Sequence, residues 1–297
     1  MAAETQRSAR RAARKTARKN ARAERRARRA PAPATHHLDT PHLCLLRAPS
    51  VATATQPRGR EITVATYNVH RWTGLNGRGP VDPARAAFVI SEIDADVIAL
   101  QEVMRPHHGE DPLVILSDAM RLHVAFAATR VHKRGEIGNA ILSRWPIGAV
   151  SMLDLSFSRM ESRVALSARL RFQHTALDIV STHLALADRT RHRQVRALLE
   201  HPELRTGPTL LLGDMNAWRR CKATQKLNAE FDEVHNNRDW PASFPSAAPV
   251  FALDRVYSRG VEVTDVTTHM SRAAQRASDH LPVVAQVRLP APGAELK

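Results

Sequence analysis

The sequence predicts an α/β fold built on mixed β-sheets. Short apolar runs of strand length far outnumber stretches with helical periodicity, and the two alternate irregularly, whereas a purely parallel sheet would need regular βα repeats. Several of these runs also end on a polar residue able to bind a cation or move a proton, the pattern of a sheet that delivers side chains to one shared site.

In chain order, EITVATYN (61–68) reads as the first strand of the folded body. Asp82-Pro83 marks a helix start, an N-cap followed by proline at the first helical position, and Ala86, Val89, Ile90 and Ile93 supply its apolar stripe. A strand over 96–100 follows, then a helix over 112–120. Further strands are expected at 123–127, 138–142, 149–153, 164–172 and 177–182. A basic helix (188–200) precedes a strand at 209–212, and strands at 252–257, 261–268 and 281–287 complete the body.

Charge is distributed unevenly. Residues 1–30 carry twelve Lys and Arg against two Glu, which is +10 of the chain's formal +15 and leaves +5 for the rest. Residues 1–35 are therefore read as a basic Ala/Arg tail, disordered or helical on binding an anion, since like charges on successive turns repel. The tail fits a tether to nucleic acid or to an anionic membrane, or a solubilising extension; an organellar transit peptide is a third reading. Residues 36–60, with scattered proline, are expected to be a linker, 61–289 the folded domain and 290–297 a terminal tail. Cys44 and Cys221 are too far apart for a disulfide framework or a zinc site. No apolar run reaches the roughly 18–20 residues of a membrane span and no secretory signal is read at the start; the expected location is cytoplasmic, with association to nucleic acid or membrane through the basic tail.

The chemistry-bearing positions are Asn68 in VATYNVH, Gln101-Glu102 in DVIALQEV, His183 in DIVSTHL, Asp214 and Asn216 in TLLLGDMN, and Asp279-His280 in ASDHLPV. Taken singly each has a plain structural reading. Glu102 is a charged strand end, Asp214 and Asn216 cap an Asx-turn, and one histidine among fifteen carries little weight. Asp254, within an apolar stretch, needs a partner such as a His N–H. Jointly, carboxylates, amides and imidazoles at separate strand ends suit a hard divalent cation and acid–base work on a phosphate ester. Arg105, Lys133 and Arg134 follow active-edge strands and are candidate phosphate contacts, or solvated surface charges. With four Trp and two Tyr, no base-stacking platform is evident.

The ordered set TYNVH, ALQEV, GNAILSRWPI, STHL, GDMN, LDRVYSRG and SDHLPV resembles the endonuclease/exonuclease/phosphatase superfamily of metal-dependent phosphoesterases. The resemblance spans about Glu61 to Leu289 and implies a four-layer α/β sandwich, two mixed sheets flanked by helices, with the site at one edge. It implies Glu102 as principal ligand of Mg²⁺ (or Mn²⁺), with Asn68 beside it and Asp279 able to serve a metal. Asp214 would orient or deprotonate the attacking water, Asn216 contact the phosphate, His280 polarise the phosphoryl oxygen or act in proton transfer while held by Asp254, and His183 stabilise the phosphate or protonate the leaving group; the resemblance does not single out the base. Asn139, in GNAILSRWPI, joins Arg105 and Arg134 as a substrate contact. The STHL form, and His70 where the abasic-site endonucleases carry an acid, set that branch aside. The expected activity is phosphodiester hydrolysis on DNA or RNA. A phospholipid phosphodiesterase or a phosphatase of a small phosphorylated substrate is the alternative.

Overall fold

The computed structural model describes residues 36–51, 53–157, 162–172, 175–201, 207–231 and 240–290. Residues 1–35 and 291–297 lie outside the described residues, so the expectations for the basic tail and most of the C-terminal tail fall there.

A seven-stranded mixed sheet contains β1 (His36–Arg47), β2 (Glu61–Asn68), β3 (Val97–Pro106), β4 (His123–His132), β5 (Gly135–Ser143), β11 (Glu262–Thr268) and β12 (Val283–Arg288), in the order β1-β4-β5-β3-β2-β12-β11. A five-stranded sheet contains β6 (Ile147–Asp154), β7 (Val164–Arg171), β8 (Ala176–His183), β9 (Thr209–Asp214) and β10 (Asp254–Arg259), in the order β10-β9-β8-β7-β6. Among the described residues the helices are α1 (Pro83–Ile93), α2 (Pro112–Met120), α3 (Asp188–Glu200), α4 (Lys222–Glu230) and the short α5 (Ala274–Ala277). Asp82 and Asp111 cap α1 and α2 by accepting the Ala84 and Leu113 amides, each one residue ahead of a proline at N1.

Three apolar clusters show the layering. One packs α1 and α2 onto the large sheet through Ala86, Val89, Ile90, Leu113 and Leu116 against Ala65, Ile98 and Phe126. The second lies between the sheets, where Val64, Ala99 and Ile141 meet Leu166, Ile179 and Leu212. The third joins α3 and α4 to the small sheet through Val195, Leu198, Ala223 and Leu227 against Val180 and Leu211. The result is helices, sheet, sheet, helices: the four-layer sandwich. No described helix is long and apolar enough to cross a membrane.

The expected linker is corrected in part. Residues 36–47 form the edge strand β1, antiparallel to β4, and the register shifts between His37 and His42. Pro41 lies in that interval, and an edge strand tolerates a residue that cannot donate to the ladder. Arg47 and the Ser50 amide both bond the Asp118 carboxylate of α2, which fastens the strand's exit.

Candidate active site

The strand period of two builds the site. On β2, Ile62 and Val64 face the inter-sheet core, and Thr66 and Asn68 continue that face. On β3 the inward row runs Val97, Ala99, Gln101; on β8 it runs Leu177, Ile179, Ser181, His183; on β9 it runs Leu210, Leu212, Asp214. The inter-sheet core thus turns polar at one edge of the sandwich. β10 and β12 are antiparallel to their neighbours β9 and β2, so they enter where those strands leave. This places Asp254 opposite Asp214 and brings Asp279-His280 back to the same edge. Asp254, expected inside a strand, is instead the first residue of β10.

Asp214 sits at the centre and is 1% exposed. Its Oδ2 accepts from Asn68 Nδ2 at 3.2 Å and lies 3.4 Å from His183 Nε2 and 3.7 Å from His280 Nε2. Its Oδ1 accepts the Asn216 amide at 2.8 Å. Asp254 is fully buried, and its Oδ2 meets His280 Nδ1 at 2.7 Å and the Ser243 hydroxyl at 2.6 Å. His280 is thereby held between two carboxylates. Gly213 permits this crowding, because a Cβ there would stand 1.8 Å from the Thr182 carbonyl oxygen.

Electrostatics separates the two histidines. Burial opposes a charge on His280, but Asp254 and Asp214 outweigh it and raise its pKa to about 10. Burial, with the positive charges of Arg163, His280 and Arg130, pushes His183 well below the usual imidazole value. At neutral pH His280 is a cation and His183 is neutral. Burial above all raises the Asp214 carboxyl to about 7, with His280 pulling the other way.

Glu102 reaches the edge through a β-bulge. The β3–β5 register shifts between Leu100 and Val103, and Glu102 adopts φ 53°, a left-handed conformation that is costly for a non-glycine residue. Burial works against its ionisation, yet Arg71, His70, Arg130 and Arg163 together hold its carboxyl below the ordinary range. Arg71 Nε lies 3.3 Å from Glu102, and His70 Nδ1 lies 3.1 Å from Asp279. His70, Arg71 and Trp72 form a single 3₁₀ turn in which all three φ values are positive. Asp279 is raised by burial and further by the Glu102 charge, while His280 and His70 oppose the rise.

These residues fit a divalent metal. Two partly exposed carboxylates that repel one another, Glu102 and Asp279, form a hard oxygen set met by the Arg71 guanidinium and the His70 imidazole, and the Asn68 amide oxygen accepts from the His70 backbone at 3.0 Å. Asp214, Asp254 and His280 also place ligand atoms within 4.8 Å of one another. There, however, Asp254 Oδ2 and His280 Nδ1 already satisfy each other, and a cation would have to displace a tightly held proton. That trio is better suited to proton transfer.

Other expected residues divide. Asn139 donates to the Val164 carbonyl at 3.1 Å and, with Glu102, Arg130, Arg163 and His183, lines a cleft beside the centre. Asn216 belongs to the supporting loop: its Nδ2 donates to the Leu184 carbonyl, and its own carbonyl accepts from the buried Arg191. Arg105 does not reach the site. It is engaged by Asp111 at 2.7 Å and Glu136 at 3.3 Å and lies over the Phe126 ring. Arg134 donates to the Gly79 carbonyl, and Lys133 is exposed beside it. Arg130, Arg163, Ser243 and Arg71 escaped the sequence reading. GNAILSRWPI and the bulge at Gln101-Glu102 mark the neighbourhood of the first two, but cleft-facing orientation is a tertiary property.

The sequence profile of the Endonuclease/Exonuclease/phosphatase family matches residues 42–280. The chain is 33% identical over 245 residues to the uncharacterized protein YbhP of Escherichia coli (strain K12), covering 76% of this chain and 96% of that relative. Its fold is similar to the crystal structure of an endonuclease/exonuclease/phosphatase from Beutenbergia cavernae DSM 12333, with TM-score 0.63, 23% identity, and 78% and 72% of the two chains covered. It is also similar to D. rerio TDP2 complexed with single strand DNA product, with TM-score 0.56, 16% identity, and 77% and 99% covered. Enzymes of the family are generally phosphoester hydrolases and typically depend on divalent metal. The chain belongs to the endonuclease/exonuclease/phosphatase family.

Proposed function

We propose that the protein is a Mg²⁺- or Mn²⁺-dependent phosphodiesterase that hydrolyses nucleic acid by in-line attack of an activated water. The observation that carries this reading is the Asp214–His280–Asp254 arrangement: a carboxylate near neutral pKa faces an imidazolium pinned from behind by a second carboxylate. Asp214 accepts the proton as the water oxygen bonds to phosphorus, while the P–O bond to the leaving oxygen breaks and that oxygen takes a proton from solvent. The His280 cation stabilises charge on a non-bridging phosphoryl oxygen, and Asp254 fixes its orientation. His183, neutral, contributes a hydrogen bond rather than a mobile proton. Glu102 and Asp279, with Asn68, would hold the metal, which supplies Lewis-acid charge neutralisation on the phosphate when bound. Asn216 and Arg191 position the Asp214 loop.

Nucleic acid is the substrate class to test first. The cleft beside the centre is lined by Arg130 and Arg163, the residues before 36 are strongly basic, and one protein of the same fold has been captured with a single strand DNA product. Purified protein would be offered supercoiled plasmid, single-stranded DNA, RNA, sphingomyelin and an inositol polyphosphate in Mg²⁺, Mn²⁺ or EDTA. Nicking that requires metal and is lost in Glu102→Gln and His280→Ala is the expected result. Turnover confined to lipid or to the small phosphate would overturn the substrate assignment.

A further inference from the structure

Beyond the phosphate-handling groups, the same edge carries an aromatic surface that the catalytic mechanism leaves unused. Trp218 follows the Asp214 loop directly and remains 43% exposed, and Phe251 is 37% exposed. The Trp218 ring packs against Phe244 at 5.3 Å and Phe251 at 5.0 Å, both steeply inclined at 84° and 69°. Phe244 and Phe251 are bridged to each other through their backbones, which makes a stiff support. Phe244 in turn lies 4.9 Å from the His280 ring. A large indole is therefore held in place one ring away from the phosphoryl-binding imidazole, with a substantial part of it facing solvent. The next residues, Arg219, Arg220 and Lys222, are all exposed cations.

An indole ordered by two neighbours needs little further ordering to stack, and every nucleobase offers it a π-face. In a duplex that face is covered by the neighbouring base pair; in a single strand it is free. The adjoining cations suit the phosphates that flank such a base, and they are more than a neutral acyl chain requires. Building on the nucleic-acid reading above, we propose that Trp218, braced by Phe244 and Phe251, is a stacking platform for the nucleobase beside the phosphodiester bound at His280. Arg219, Arg220 and Lys222 meet the next phosphates of a single strand. The preferred substrate is thus single-stranded or locally unpaired nucleic acid.

The test uses the full chain in EDTA, with intrinsic tryptophan fluorescence as the readout. Trp72 and Trp145 are 1% and 4% exposed and Trp240 is partly buried against Tyr257, so comparison with a Trp218→Phe variant, which keeps all three, assigns the quenching to Trp218. Oligothymidylate should quench the emission, whereas the same oligonucleotide with abasic spacers should not. Trp218→Phe should abolish the quenching yet bind within a few-fold of wild type. Trp218→Ala should weaken oligothymidylate binding roughly 5- to 150-fold, the range for losing one base–aromatic stack, and leave abasic binding unchanged. The phosphate affinity of the basic tail is common to both ligands and cancels in their ratio. Equal affinity for the two oligonucleotides, no quenching, or a Trp218 blue shift produced by anionic vesicles alone would overturn the platform. Metal-dependent cleavage of single-stranded DNA that persists unchanged in Trp218→Ala would overturn the platform while leaving the nuclease reading intact.

Discussion

Asp254→Asn removes the anion 2.7 Å from His280 Nδ1 while keeping the side chain's size and an oxygen for the Ser243 hydroxyl. In the wild-type protein burial disfavours the imidazolium, and the two carboxylates more than compensate, lifting its pKa from 6.5 to about 10. After the substitution Asp214, 3.7 Å from Nε2, and the weaker influence of Asp279 remain, and the buried ring should titrate well below the wild-type value, toward the ordinary value of about 6.5. At about 1.4 kcal/mol per pH unit the wild-type shift bounds the coupling near 5 kcal/mol, and stripping one partner from a buried pair costs about 3–5 kcal/mol. The sign is fixed by linkage: a raised folded pKa gives stability that is complete below 6.5 and is lost as pH rises through about 10. The variant should therefore be most destabilised at acidic to neutral pH and converge with wild type above about pH 10. Denaturant titrations across pH, with imidazole NMR of His280, measure both quantities. Hydrolysis near neutral pH should fall about 10²- to 10⁴-fold as the cation is lost. A His280 that still titrates near 10, or a stability gap that widens as pH rises, would refute the assignment of its charge to Asp254.

Three further outcomes are expected. Ionisation of Asp214 and deprotonation of His280 should give kcat/KM a rising limb through about pH 7 and a falling limb through about pH 10; activity that falls steadily above about pH 7 would contradict the roles given to the two groups. Gly213→Ala forces a Cβ against the Thr182 carbonyl and should cost about 3 kcal/mol or more, or prevent soluble expression; a wild-type melting temperature would show that the loop relaxes freely. Arg105→Met should lower stability by about 1–2 kcal/mol while leaving hydrolysis within about twofold. A raised KM for oligonucleotide at unchanged stability would return Arg105 to the substrate surface.

The active edge was legible from sequence to the extent that it depends on local pattern. The inward-facing rows of β2, β3, β8 and β9 extend their apolar alternation into Asn68, Gln101, His183 and Asp214, so period and polarity together mark these positions. The seven motifs in order add the family. Arg105 and Asn216 look alike to a sequence reading, as polar residues at strand ends, yet one is consumed by Asp111 and Glu136 and the other by the Leu184 carbonyl. Which neighbour claims a side chain is a long-range matter that spacing does not encode.

Local pattern alone sets the strand-rich α/β class, the Asp82-capped helix start, and which residue types lie at the polar edge, because periodicity and capping act over a few residues. Only the tertiary structure decided that 36–47 completes a sheet, that a bulge turns Glu102 to the rim, and that Asp254 sits opposite Asp214. It likewise decided that His280 is charged while His183 is neutral, and that Trp218 stands exposed on the Phe244 ring that meets His280. Those properties depend on burial and on strand pairing between residues far apart in the chain, and neither exists until the sheets have closed on each other.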